Sequence, residues 1–507
     1  MMRRVSLVSL AFFLLSTAVA IAANAEPSLV LISGKVFTGD AARPFAEAVA
    51  IEGDRISAVG TTAEIKAMAG TRTQVIDLEG RVVIPGINDA HMHPGFATPV
   101  FRLEPSMNPT RTAMEAAIHN AVEETPADTW IQMTIGPTVL LDPEINADSL
   151  ETVAAGRKVL LVAFTGHGSI LSHAAMSDLG IARDAKDPPG GWYGRDAEGK
   201  LDGRAYEYAQ YPFERRIADK ATDAELLEHV RSWADEALSY GITSAQVMPW
   251  GSEQRFIDAV SRSRTPLRVR VIDMLDHGDT KTDAVKWILD GTPIELNAAL
   301  RSGKYAAGGK GRLNFSDFSA KARAAAASKR QLLVHASGDL AVETALKAFA
   351  ENPTLVRPRI EHGDGLQRDL FALAKQTGAV VVQNPSHFEA RPLFPRDSEY
   401  QLMKTIVQAG IPFALGSDGL TNPYTNILLA TQNGDESLTR EEAVRAYTSG
   451  SAFAEMKERE KGTIAKGMLA DLAVLSQDIF EVPPPALPET RSVITIIGGK
   501  VVYSRLN

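Results

Sequence analysis

The chain has 507 residues, more than one compact core usually holds, so more than one structural unit is expected. With 45% hydrophobic and 23% charged residues it is neither disordered nor fibrous, and a formal charge of −9 without a basic stripe excludes nucleic acid as a partner. It has no cysteine, so it folds without disulfides, and any metal must sit on His, carboxylate or modified Lys ligands.

The first 25 residues read as a cleaved signal peptide. Met1 to Arg4 is basic, Val5 to Ala22 is mostly apolar, and Ala23-Asn24-Ala25 offers small residues at a cleavage point. An uncleaved anchor is the alternative, but Ser and Thr break the apolar run, which is short for a span. Cleavage after Ala25 removes Arg3 and Arg4 and takes the charge from −9 to −11. A periplasmic or secreted protein follows, with no stable membrane insertion after cleavage.

From Leu29 to Leu78 short β runs alternate with Gly and Asp breaks, the pattern of a small twisted sheet. The same style returns in Gly462 to Asp478 and Ser492 to Tyr503. Residues 26–80 and 461–507 are therefore expected to form one small β-sandwich domain from both chain ends, around an inserted middle, 81–460. Pro483 to Pro485 reads as a stiff connector.

The middle alternates apolar strands with helical stretches, the mark of an α/β fold with parallel strands. Strands are predicted at Val82–Asn88, Thr243–Met248, Arg268–Leu275, Ala284–Ile288, Gln331–His335, Arg359–His362, Ala379–Gln383 and Pro412–Gly416. Eight such strands predict a (β/α)8 TIM barrel. An insertion, 95–240, follows the first strand and is expected to shape a substrate pocket. Within it, Asp223 to Leu238 reads as an amphipathic helix burying Leu226, Val230, Trp233 and Ala237, with His229 beside that face in a structural role. Lys321 to Arg330 reads as a second, Ala-rich helix.

Chemistry is concentrated at strand ends. In VVIPGINDAHMHP, His91 and His93 are two residues apart on a strand, so both imidazoles project to one side and can share a cation. Lys286, His335, His362, His387 and Asp418 stand at the ends of later strands, and parallel strands deliver such side chains to one face. His119 and His277 have no such context.

At these residues the sequence resembles the amidohydrolase superfamily, and more closely amidohydrolase family 3, which includes YtcJ-like proteins and N-substituted formamide deformylase. The resemblance runs through GINDAHMH, TGHGSILSHAAM, DGRAYEYA, AVKWILDG, VHASGD, RIEHGDG, GSDG and KGMLADLAVL. It implies two divalent metal ions, zinc-like, one held by His91 and His93 and the other by His335 and His362. Lys286, carboxylated by carbon dioxide, would bridge them as a carbamate, and Asp418 would contact a metal and carry the proton. Neutral imidazoles leave the cations their charge, so a bound water deprotonates near neutral pH and attacks a polarised carbonyl. His387 would orient substrate or donate to a developing oxyanion.

His167 and Glu207 match a pocket histidine and a nearby acid, read as substrate contacts. Ser172-His173 stands where family members show Asn-Ser, which implies an altered pocket.

The function expected is hydrolysis of a non-peptide C–N bond, in an amide or substituted formamide, by a metal-bridged hydroxide. The partner is a small-molecule amide, with homo-oligomerisation left open. Two alternatives stay open: a mononuclear-metal deaminase of the same superfamily, and a non-catalytic binding or regulatory protein on this scaffold. Deaminases of the superfamily tend to carry a glutamate just after the fifth-strand histidine, where this chain has HASGD, and a regulator would tolerate a broken ligand set.

Overall fold

The computed structural model describes residues 26–506 except 96–99, 104–105, 279–280, 303, 306–308, 310, 388–392, 395–398 and 420. The expected signal peptide lies outside the described residues.

Both chain ends meet in one six-stranded sheet. Its order is Lys500–Ser504, Ser492–Ile497, Leu472–Leu475, Val82–Pro85, Lys35–Phe37, Phe45–Ala46. A four-stranded sheet lies beside it, in the order Arg55–Gly60, Ala48–Glu52, Leu29–Ile32, Gln74–Asp77. Leu29 and Leu31, Val49 and Ile51, Leu472 and Val474, and Ile494 and Ile496 are pairs two residues apart, so each pair faces one side of its strand. These residues close over a single buried apolar cluster contributed by both sheets. Truncating one of them, such as the fully buried Leu31, to Ala would cost about 2–5 kcal/mol.

Gly86 is the crossover between the two architectures. The predicted strand Val82–Asn88 is really two, Val82–Pro85 in the shared end sheet and Ile87–Met92 in a parallel sheet. The change of sheet thus falls inside the segment 81–460. A Cβ at Gly86 would come within 2.1 Å of Thr243 Oγ1, so only glycine lets the chain pass this close to its neighbour.

Ile87–Met92 pairs in parallel with Ile242–Val247, which pairs with Arg268–Val271. A second parallel sheet runs in chain order through Asp273–Met274, Ala284–Ile288, Gln331–Ala336, Arg359–His362, Val380–Gln383 and Phe413–Leu415. Ile272 N–H donates to the Val247 carbonyl and Asp418 N–H to the His91 carbonyl, both at 2.8 Å, so each end of the longer sheet is tied to the shorter one. The predicted Arg268–Leu275 strand is divided at Ile272, where these ties begin.

The segment after the first parallel strand builds its own six-stranded sheet: Gly191–Arg195, Leu201–Glu207, Ser169–Leu171, Val159–Ala163, Trp130–Ile135, Val100–Leu103. Helix Arg111–Glu124 buries Met114, Ile118 and Ala121 against it. Helix Asp223–Ser239 begins with a reciprocal cap between Thr222 and Glu225 and buries Val230, Trp233, Ala234, Ala237 and Leu238, close to expectation. The Ala-rich helix spans Ser319–Ser328. Pro483–Pro485 is no plain connector, because it leads into a 3₁₀ helix at Pro484–Glu489. Among the described residues, no helix is long and apolar enough to cross a membrane.

Candidate metal centre

His91 is fully buried near the end of the first parallel strand, and its two nitrogens face different partners. Nδ1 lies 2.6 Å from Glu361 Oε2, while Nε2 lies 3.0 Å from Lys286 Nζ and 3.2 Å from Asp418 Oδ1. His93 repeats the arrangement: Nδ1 is 2.8 Å from the Met248 carbonyl oxygen and Nε2 is 3.5 Å from Asp418 Oδ1. A carbonyl and an ionised carboxylate only accept, so both rings carry their proton on Nδ1. Their Nε2 lone pairs converge with Asp418 Oδ1 on one spot, where three acceptors call for a cation between them. Such outer partners fix tautomer and orientation in metal-binding histidines. Burial opposes ionisation of Glu361, but Arg359 and His91 outweigh it and hold the carboxyl at about 2.

The remaining histidines close the cluster. His362 stacks on His387 with centroids 4.5 Å apart and lies 4.3 Å from His335, which is 4.4 Å from His167. Burial first, then the neighbouring histidines and Lys286, hold His335 well below the usual imidazole range, and burial with His335 does the same for His362. Burial and Lys286 bring His93 down to about 3. Buried His335 Nε2 and His362 Nδ1 have no hydrogen-bond partner, which otherwise costs about 1–3 kcal/mol each. Neutral rings with unshared nitrogens suit a divalent cation.

Two triads place three ligand atoms within 4.8 Å of one another: His91, His93 and Asp418, and His362, His387 and Asp418. The second triad brings His387, which the sequence assigned to substrate, beside His362 and Asp418, while His335, expected to share a metal with His362, lies next to the triad. The reason is geometric: His387 Nε2 lies 3.0 Å from Asp418 Oδ2, whereas the nearest carboxylate to His335 Nε2 is Asp290, at 3.8 Å. Burial works against protonation of His387, but Asp364 and Asp418 raise it to about 10. Asp418 is held well below the carboxylate range, because His91 and His387 outweigh its burial.

Lys286 points into the same space. Burial, helped by the Arg359 cation, brings its amine down to about 8, despite the nearby Asp418 and Glu361. His362, Asp418 and Glu207 all have positive φ, at 69°, 55° and 53°. Backbone strain of this kind persists where the surroundings over-determine it, typically at functional sites.

A cavity of about 510 Å³ opens over the cluster, lined by His93, Lys286, His335, His362, Asp418 and His167. His167 Nδ1 faces Glu207 Oε1 at 3.0 Å, and Tyr211 and Asn314 donate to Glu207 Oε2 at 2.9 and 3.1 Å. Glu207 therefore sits behind His167 and does not line the cavity, contrary to its reading as a substrate contact. Burial disfavours the His167 cation, but Glu207 outweighs it and raises its pKa. His229 Nε2 lies 2.7 Å from the Pro94 carbonyl, which anchors the turn after His93.

Ser172 and His173 do not line the cavity either. Ser172 caps helix His173–Asp178, and His173 pairs with Asp148, so this pair carries no information about the pocket. His277 joins Glu253 and Asp273 in a third group, but Arg215 and Arg330 neutralise those carboxylates at 2.9 and 2.7 Å. Ion pairing accounts for that group.

The profile of the amidohydrolase family matches residues 74–503. The chain belongs to that family. It is thus a hydrolase of carbon–nitrogen bonds. Among its relatives, YtcJ of Bacillus subtilis is 26% identical, over 90% of this chain and 96% of that one. N-substituted formamide deformylase of Arthrobacter pascens is 24% identical, over 94% and 98%. In architecture the chain is similar to an uncharacterized metal-dependent hydrolase from Pyrococcus furiosus, with a TM-score of 0.67, 20% identity, and coverage of 89% of this chain and all of that one.

Glu361, Asp364, Met248 and Tyr211 were missed in the sequence. Glu361 and Asp364 flank His362 in RIEHGDG, where the run of acids beside a histidine is a signal that could have found them.

Proposed function

We propose that the protein is a metal-dependent amidohydrolase that cleaves a small-molecule amide or N-substituted formamide at the cluster of His91, His93, Lys286 and Asp418. The observation that carries this reading is the paired tautomer: His91 and His93 both spend Nδ1 on fixed acceptors and turn Nε2 toward one carboxylate. His91, His93, His335, His362 and Asp418 would hold one or two divalent ions, zinc in our reading, with His387 beside them. A carbamate on Lys286 would bridge two of them; its free amine is accessible because burial lowers its pKa to about 8. A divalent cation here supplies Lewis acidity, lowering the pKa of water and polarising a carbonyl.

The chain's own residues do the rest. Asp418 is ionised, so it takes one proton from the attacking water and hands it to the leaving nitrogen as the C–N bond breaks. His387, protonated and 3.0 Å away, holds that carboxylate in place. His167, whose pKa Glu207 raises against its burial, donates to the carbonyl oxygen as charge develops there. Water ends on the acyl carbon, and the products are a carboxylic acid and an amine.

The same reading extends to architecture. The two parallel sheets form one closed (β/α)8 barrel that starts at Ile87 within 81–460 and carries the insertion 95–240, and the segments 26–80 and 461–507, together with Val82–Pro85, form a β-sandwich. The ties at Ile272 and Asp418 support the closure, and the common apolar cluster supports the sandwich.

Metal analysis of the purified protein, paired with a screen of N-acyl and N-formyl amines, tests this. Stoichiometric zinc and release of an amine are expected. Metal-free protein that stays inactive after zinc loading would overturn it.

A further inference from the structure

The cavity extends well beyond the polar cluster. Its volume of about 510 Å³ compares with about 30 Å³ for one water, so an amide group fills only its floor. What lines the outer part differs in character from the floor.

Trp250 forms one wall. Its indole stacks on His93 with centroids 5.1 Å apart and 27° between planes. The edge of the indole also approaches Gly166, where a Cβ would lie 3.2 Å away. The ring is thus fixed between the cluster and the inserted sheet.

The insertion supplies the rest of the rim. Met107 is 57% exposed and Phe164 37% exposed, yet both line the cavity, and Leu103 joins them. Single exposed apolar side chains are ordinary, but a set that faces one cavity marks a binding surface. Arg102 and Glu236 also reach the mouth, with opposite signs, so the rim does not select for net charge.

We propose that the substrate carries an apolar group of phenyl size or larger next to the scissile bond, received between Trp250, Phe164, Met107 and Leu103. This rests on the amide-hydrolase reading and narrows it. Small amides fit the floor but leave the collar wet, so they lose the transition-state binding that the collar supplies. Discrimination by apolar pockets is about 10-fold or more per added group.

The test uses zinc-loaded protein and two substrate series. One is the N-methyl, N-hexyl and N-(2-phenylethyl) formamides; the other is N-methyl amides of acetic, hexanoic and phenylacetic acids. In one of the series, kcat/KM is expected to rise at least about 10-fold from the smallest to the largest member. In Phe164→Ser and Met107→Ser that ratio collapses toward unity. Both side chains are exposed, so the variants keep the fold. Turnover of every member with equal kcat/KM overturns the collar and leaves the hydrolase reading intact. If no member turns over, the hydrolase reading fails, and the collar is read by calorimetric titration with N-methylurea and N-(2-phenylethyl)urea. Tighter binding of the phenylethyl compound by about 10-fold, lost in Phe164→Ser, upholds the collar, and equal binding overturns it.

Discussion

His91 and Glu361 meet at 2.6 Å through Nδ1 and Oε2, and the opposite nitrogen of the same ring faces Lys286 and Asp418. Glu361 also receives Arg359 through both of its oxygens, at 2.8 and 2.9 Å, and all three side chains are out of water. One carboxylate therefore sets the ring's tautomer and neutralises a buried guanidinium.

Replacing Glu361 by Gln should separate those duties. The tautomer is no longer fixed, so metal affinity falls by about 10–100-fold, read by competition with a chelator. Arg359 keeps its bonds to Gln246 and the Ala90 carbonyl but loses its buried counter-charge, which costs up to about 3–5 kcal/mol, read by denaturant unfolding. Acid behaviour changes too. A carboxyl lowered from 4.5 to about 2 contributes stability that is present above pH about 4.5 and is lost as pH falls toward 2. Glu361→Gln should lose that part of the acid slope. Unchanged metal affinity in the variant would remove the orienting role.

Lys286→Ala should lower metal content and turnover together. Its Nζ is 3.0 Å from His91 Nε2, on the nitrogen that also faces Asp418. Added formate or acetate should restore part of both by standing in for the bridging carboxylate. Full zinc content and wild-type turnover in the variant would show that the lysine is no ligand.

Asp418→Asn keeps the shape of the side chain and removes its basicity. Turnover should fall about 10²–10⁴-fold, and more steeply than metal binding, because the histidines and Lys286 remain. Comparing kcat with zinc occupancy measures this. Near-wild-type kcat on a substrate that the wild type hydrolyses would move the proton role to His387.

Export predicts a mature chain that begins at Glu26. N-terminal sequencing of protein recovered from the periplasm should read Glu-Pro-Ser. Met1 retained on a soluble cytosolic form would refute the cleavage.

Much of this centre was legible because its ligands sit at strand ends, where a local pattern is enough. His91-x-His93 announces a shared face through the two-residue strand period alone, and Lys286, His335 and His362 stand in short runs that the structure keeps as strands. The break at Gly86 was hidden because both flanking runs are apolar, and only the close approach of Thr243 reveals why the chain turns there. Partners such as Met248 for His93, or Asp364 for His387, come from elements 155 and 23 residues away, and no periodicity in the sequence encodes such meetings. The assignment of Glu207 erred in a similar way, since burial behind His167 depends on Tyr211 and Asn314 closing over it.

Val82–Pro85, which leads straight into the histidine pair, is held from one side by Leu472–Leu475. Nearly four hundred residues separate these partners, and closing so long a loop is an entropic burden that local structure cannot relieve early. During synthesis the histidines leave the ribosome long before the strand that anchors their base exists. The nascent chain therefore carries its ligands in an unsupported segment until residues 472–475 have emerged. Shortening the chain from its C-terminus should consequently abolish metal retention, although every ligand is still present.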